Sequence, residues 1–292
     1  MNEGVIPITN AQLVLSVVLV LTAGIVSALL RLGLLQSLLW GTVRTFAQLF
    51  FIGYALSYIF NLNHPVLIFG IILVMCTIAT RASMRRIPHQ SGYLALIGFL
   101  SLTVSTFLVG IIVVALVIGP QPWYLARIVI PIFGMILGNS VNGIALSLER
   151  LYAEIRTHAA EIEALLSFGA TPWEAVQERV RESLRAGMTP TINSLMVVGL
   201  VSLPGMMTGQ ILSGVDPQQA VRYQIVVMLM ITAAVSIGCL MLVLLTYKRF
   251  FTAQAALDYS ILGIKGAHPE KKAVKARKTA NWKKLFDRNK GK

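Results

Sequence analysis

A chain of 292 residues that is 56% apolar and only 13% charged lacks the polar surface of a soluble fold, in which about a quarter of the residues are charged. Its formal charge of +13 would suit nucleic acid if it covered a folded face, but 13 Lys/Arg against 3 Asp/Glu fall between Lys248 and Lys292. The excess is therefore a tail, and Trp282 with Phe286 supplies too few aromatics to interleave with base-reading side chains, which excludes nucleic acid as a partner.

In chain order the apolar runs are about 11–30, 38–60, 65–80, 93–118, 126–147, 190–212 and 223–247. A helix of about 20 apolar residues crosses a hydrocarbon core of about 30 Å, so the expected fold is an all-α polytopic membrane protein with about seven transmembrane helices. The lipid bilayer is then its solvent. Glu3 precedes the first run with no basic residue, and that run exceeds a signal-peptide core, so it reads as an uncleaved span. The run 65–80 is the shortest, and leaves open a tilted or re-entrant segment. Segments 1–10, 61–64, 119–125 and 213–221 contain no Lys or Arg, whereas the alternate connections carry Arg31, then Arg81, Arg85 and Arg86, then five arginines in 148–188, then the tail. This alternation predicts a multi-pass protein of the inner (cytoplasmic) membrane with its N-terminus outside and its C-terminus inside. Residues 1–250 form the membrane domain, and 251–292 form a basic cytoplasmic tail that reads as disordered toward its end and attracted to anionic headgroups. Cys76 and Cys239 lie inside apolar runs and imply no disulfide framework.

The long inner connection, 148–188, reads as a helical hairpin. Leu148, Leu151, Ile155, Ile162 and Leu166 recur at helical spacing, continuing inward from the fifth run. Gly169 ends that helix. Thr171, Pro172 and Glu174 supply an N-cap, a first-turn proline and a capping acid for a second helix, which Gly187 is expected to close before Thr189 and Pro190 start the sixth span.

Between Glu3 and Glu149 there is no Asp or Glu, and the spans contain no carboxylate. Carriers driven by protons or sodium generally place titratable acids in the bilayer interior, so ion coupling is disfavoured, though an ATPase-independent carrier, ion-coupled or passive, stays the alternative. His64 and His89 sit at loop edges and do not replace the missing acids. The first lysine of the chain is Lys248, so no phosphate-cradling G-x-x-x-x-G-K-[ST] exists and any ATP hydrolysis belongs to another chain. No nucleophile or acid pair clusters in the spans, which speaks against an enzyme.

At the hairpin turn stands Glu163-Ala164-Leu165-Leu166-Ser167-Phe168-Gly169, which resembles the E-A-A-x-x-x-G coupling motif of ABC transporter permeases, with Leu165 in place of the second Ala. Further strings extend the likeness: Arg44-x-x-x-Gln48, then Gly138-Asn139-Ser140-Val141-Asn142-Gly143, then Gly199 through Gln210. Over about residues 10–265 the chain is similar to the FetB-type iron-export permease family, which includes plant membrane subunits linked to aluminium resistance. The resemblance implies a permease that exports iron or another metal, contributes to metal homeostasis and oxidative-stress resistance, and pairs with a separate ABC ATPase. It implies no cofactor on this chain, with ATP and Mg held by the ATPase, and ATPase-coupling roles for Glu163, Ala164, Gly169, Thr171 and Pro172. One coupling hairpin per chain implies a homodimer if two ATPase subunits are to be docked.

Several residues of these strings are pathway candidates by their chemistry. Arg44, paired with Gln48 one turn on, either snorkels to the inner headgroups or faces inward. Asn139 and Asn142 must find partners in a medium without water, as interhelical glue or as a solvated lining. Gly134, Gly138 and Asn142, and again Gly205 and Gly209, have the small-x-x-x-small spacing of close helix contact. Pro204 should kink or unwind the sixth span just before Met206, Met207 and Gln210. The two thioethers are the sole candidate metal contacts, since no His/Cys/carboxylate cluster has metal-site spacing.

Overall fold

The computed structural model describes residues 8–85, 92–252 and 254–262. The first seven residues, Arg86, His89 and the basic segment from 263 onward, on which the tail and N-terminal expectations rest, lie outside them. The described residues form ten α-helices: α1 Asn10–Leu15, α2 Val17–Leu29, α3 Leu35–Leu62, α4 Pro65–Met84, α5 Gly92–Ile112, α6 Ala126–Thr157, α7 Ala159–Ser167, α8 Pro172–Val197, α9 Gly205–Leu212 and α10 Pro217–Thr246. A π-helical turn, Val113–Ile118, prolongs α5, and a 3-10 turn, Tyr247–Phe250, prolongs α10.

Among the described residues, six segments are long and apolar enough to cross a membrane: Asn10–Leu29, Leu35–Leu62, Pro65–Met84, Gly92–Ile118, Ala126–Thr157 and Pro217–Phe250. At 1.5 Å per residue the 20 residues of α4 span about 30 Å, so the run read as 65–80 is a full-length helix. The expected span 190–212 is not one helix. Its first part is the C-terminal end of α8, its last part is the short α9, and residues 198–204 between them are unwound.

The chain divides into two compact units, one of Met1–Leu73, Gly110–Phe133 and Val197–Leu229, the other of Val74–Val109, Gly134–Met196 and Met230–Lys292. In the first unit Thr9 and Gln12 form a capping box that starts α1. The Leu34 N–H donates to Ser27 Oγ at 3.1 Å, which sets the tight α2–α3 connection. Asn63 ends α3 in a left-handed conformation, and its Oδ1 accepts from the Ala126 N–H at 3.0 Å, tying that end to the start of α6. Around the same end lie Phe69 against Trp123 and Arg127 over Phe60. The indole of Trp123, apolar with one polar N–H, suits the level of lipid headgroups.

The second unit holds the tightest packing. Ile136, Ile144, Leu148, Leu151 and Ile155 on α6, Val176 on α8 and Cys239, Leu242 and Val243 on α10 are all fully buried. Here α8 crosses α6 with almost no separation: a Cβ on Gly187 would meet the Ser147 hydroxyl and lie 2.7 Å from the Gly143 carbonyl oxygen. This crossing corrects the expectation that Gly187 closes a helix. The residue is glycine because the neighbouring backbone leaves no room for a side chain, and α8 runs on through Gly187 and Pro190 to Val197. Proline there removes a single helix hydrogen bond, a loss tertiary contacts override.

Candidate functional site

The hairpin at 158–174 is built almost entirely by local chemistry. After Thr157, His158 breaks the helical backbone and α7 begins. Nine residues later the helix closes in a Schellman motif: the Ala170 N–H donates to the Leu165 carbonyl and the Gly169 N–H to the Leu166 carbonyl, both at 3.0 Å. That geometry needs a left-handed residue, and Gly169 supplies it with φ +92. Two residues on, the capping box forms as expected. The Thr171 N–H and hydroxyl both donate to Glu174 Oε2 at 2.7 Å, and the Glu174 N–H returns a bond to Thr171 Oγ1 at 3.3 Å. These bonds hold the Glu174 carboxyl below its ordinary value. Pro172 occupies the first helical position, where its missing donor costs nothing.

Charge laces the two arms of this elbow. Glu154 on α6, 8% exposed, faces Arg150 at 2.8 Å and Arg179 of α8 at 3.6 Å, while Arg179 also reaches Glu161 of α7 at 3.1 Å. One guanidinium thus spans three helices. Buried ion pairs of this kind fix geometry more than they add stability. At the tip, Ala164 and Leu165 are exposed and Phe168 is 90% exposed. A rigid turn therefore presents an aromatic ring with little cover from the described residues.

The unwound stretch after α8 is equally defined. Val197 O accepts from the N–H groups of Val201 and Ser202, Gly199 adopts φ +84, and the Gly199 N–H donates to Ser202 O at 2.9 Å. Pro204 then caps α9. The break foreseen at Pro204 is present but wider, reaching back six residues because Gly199 also leaves the helical region. Beyond it Met206 is half-buried, Met207 is buried, and the Gln210 side-chain oxygen is buried without a donor among the described residues.

Arg44 and Gln48 are exposed on α3, none of whose residues is buried, and among the described residues Arg44 has no ion pair. Asn139 and Asn142 are also exposed on α6, Asn139 donating to the Met135 carbonyl at 2.9 Å. Close helix contact, one reading of the glycine spacing, is not what these glycines make within the chain. Nothing lies within 4 Å of a Cβ built on Gly138, Gly205 or Gly209, and Gly134 meets Met75 alone, at 3.4 Å. Among the described residues no three His, Cys, Asp or Glu side chains gather as metal ligands.

Residues 10–251 match the model of the family described as "Uncharacterised protein family (UPF0014)". The chain belongs to the UPF0014 family. It is 37% identical over 246 residues to the UPF0014 membrane protein YjkA of Bacillus subtilis, covering 84% of this chain and 97% of the relative. It is 35% identical over 253 residues to the probable iron export permease protein FetB of Escherichia coli, covering 86% and 95%. Likeness extends to plants, with 33% identity over 239 residues to the protein ALUMINUM SENSITIVE 3 of Arabidopsis thaliana, covering 81% and 85%. No solved structure matches. Membership, together with six helices able to span a bilayer, makes this UPF0014 chain a multi-pass membrane protein of a permease family.

Sequence reasoning missed three groups of residues around the elbow of this UPF0014 protein. Gly143, Ser147 and Gly187 make the α6–α8 crossing. Arg179 joins the arms, and its spacing from Glu161 carries no helical signal because the two lie on different helices. Trp173 and Tyr247 stack with ring centroids 5.3 Å apart, 74 residues apart in the chain. Such pairings leave no periodic trace to find.

Proposed function

We propose that this chain is the membrane-spanning subunit of an ABC transporter that exports iron or another metal, driven by a separate ATPase subunit. The observation that carries the reading is the elbow: a preformed helix–turn–helix with Phe168 bare at its tip, in a chain whose relative FetB is named a probable iron export permease. A stiff, pre-ordered turn loses little entropy on docking, and an aromatic anchor at the centre of an interface contributes disproportionately. In this reading the ATPase holds ATP and Mg, its groove takes the segment from Glu163 to Pro172, and its closure swings α7 and α8. In this reading the elbow is cytoplasmic together with the C-terminus and the N-terminus is outside, the orientation that the alternation of arginines along the sequence favours. Counting the broken α8–α9 segment as a crossing gives seven, the odd number this orientation needs.

Two copies of the chain act together, since each offers one elbow and an ABC engine has two ATPase subunits. The exposed Gly138, Asn139 and Asn142 on α6 and the exposed Arg44 and Gln48 on α3 are polar or bare surfaces that hydrocarbon covers badly. In this reading each is a candidate to face the cargo path, as are Pro204, Met206, Met207 and Gln210 of the broken segment. Its carbonyls and soft sulfurs offer weak contacts that let a metal or its chelate pass on. Export of this kind serves metal homeostasis and resistance to oxidative stress.

The test is Phe168→Asp. Because the ring touches solvent and not the core, the variant should insert and melt like the parent. It should bind the ATPase roughly thirtyfold more weakly and retain correspondingly less on co-purification, the loss expected when an anchor worth about 2 kcal/mol is removed. Equal recovery of the ATPase by both proteins, or no ATPase with either, would contradict the reading.

A further inference from the structure

The first membrane hairpin, α2 with α3, holds a groove for which the elbow has no use. Its free volume is about 350 Å³. Val17, Val20 and Leu21 of α2 form one wall, and Leu38, Leu39 and Phe46 of α3 form the other. Thr42 is the one polar side chain of the lining, and its hydroxyl is already engaged, donating to the Leu38 carbonyl at 2.8 Å. The walls therefore offer water no partners and suit hydrocarbon instead.

The groove closes where the hairpin closes. Gly24 of α2 faces Leu35 at the start of α3, and a Cβ built on it would lie 3.2 Å from Leu35 Cδ1. From Gly24 back to Val17 the first wall rises about 10 Å, and from Leu35 to Phe46 the second rises about 16 Å, at about 1.5 Å per residue. Half of a hydrocarbon core is about 15 Å deep, so the groove is as long as one leaflet, the reach of one acyl chain. Its flank is open, since none of the residues of α3 is buried and in α2 only Gly24 and Ser27 are.

Arg31 stands in the connection at the closed end. It is exposed, its backbone is left-handed with φ +49, and among the described residues it makes no ion pair. Gly or Asn fills a left-handed turn at lower cost, so the backbone does not ask for arginine here. Nor does the sequence supply a counter-charge nearby, because no acid occurs between Glu3 and Glu149. A free cation at the end of an apolar groove one leaflet long complements a ligand with an anionic head and a hydrocarbon tail.

We infer that the α2–α3 groove is a binding site for one membrane phospholipid with an anionic headgroup, its phosphate on Arg31 and one acyl chain laid along the groove. A second copy of the chain is the competing occupant. A helix of that copy, about 10–12 Å across, would lie over the groove without filling it. Residues 4–148 of the copy would also bring Arg31 no carboxylate. Anionic lipids favour the cytoplasmic leaflet, the side on which the orientation proposed above puts Arg31. The site itself depends neither on that orientation nor on the ATPase reading.

Native mass spectrometry tests the site on the full chain, purified in mild detergent and mixed with equal amounts of palmitoyl-oleoyl phosphatidylglycerol and phosphatidylcholine, which share their tails and differ in charge. The parent should keep one phosphatidylglycerol per chain at least tenfold more often than one phosphatidylcholine. Arg31→Asn, whose side chain tolerates the left-handed turn, should bring phosphatidylglycerol down to the phosphatidylcholine level and melt like the lipid-free parent. Arg81→Gln, which removes an exposed cation of α4, should leave retention unchanged. Leu21→Trp, which fills the groove and leaves Arg31 in place, should lower retention of both lipids at least threefold. Equal retention of the two lipids by the parent, undiminished phosphatidylglycerol in Arg31→Asn or in Leu21→Trp, or an equal loss in Arg81→Gln overturns the site. A lipid-free parent dimer that Leu21→Trp converts to monomer would overturn it too, giving the groove to a second copy.

Discussion

Gly187 and Gly138 show how much one hydrogen atom in place of a methyl matters at two positions of similar appearance. At Gly187 a methyl would collide with the Ser147 hydroxyl and the Gly143 carbonyl, and a backbone oxygen cannot turn aside as a flexible side chain does. Gly187→Ala should therefore cost about 2–3 kcal/mol, as overpacking does, and lower the melting temperature in detergent. Gly138→Ala meets open space and should hold or raise stability by up to about 1 kcal/mol in the same assay, because alanine favours the helix. Equal melting of the two variants would refute the crossing. At the elbow, Glu174 has its carboxyl pulled down by the backbone N–H and then the hydroxyl of Thr171. A depressed carboxyl contributes stability above its ordinary value and loses it as pH falls through the lowered one. Thr171→Ala removes the hydroxyl but keeps the backbone N–H, so the Glu174 titration should move part of the way back up toward its ordinary value, read by NMR, with no change in stability above that pH. An unmoved titration would mean that the capping box is not formed.

Among the elements, those legible in the sequence are the ones fixed by nearest neighbours. Apolar length gave α2 to α6 and α10, and the order Gly169, Thr171, Pro172, Glu174 is a local code for stop, cap and start that the backbone obeys bond for bond. The same code misleads at Gly187 and Pro190, where glycine followed by proline reads as another stop. There, packing against α6 outweighs the propensity, and α8 stays helical to Val197. The segment 190–212 shows the opposite failure. Its apolar composition spells a span, and Pro204 was recognisable as a breaker, but the breadth of the unwound stretch depends on Gly199 taking φ +84 and on Val197 O collecting the freed N–H groups. For the candidate site, the elbow residues were readable and their lashings were not. Arg179 with Glu161 and Trp173 with Tyr247 join residues remote in sequence, and pairings of that kind are decided only by the packed chain.

Across the whole molecule, apolar helices without any carboxylate between Glu3 and Glu149 are joined to an elbow rich in acids and arginines. In the proposed reading these helices offer no counter-charge to a moving proton or sodium ion, and energy enters mechanically at the elbow. Gly138, Asn139 and Asn142 are exposed on α6, and the UPF0014 relatives from bacteria and plants match this chain over most of its length. The direct measurement is ATP-dependent flux of radiolabelled iron in sealed vesicles holding the purified chain with or without the ATPase subunit. The account predicts uphill movement only when both the ATPase and ATP are present. Uphill movement by the chain alone, driven by an imposed proton or sodium gradient, would contradict it.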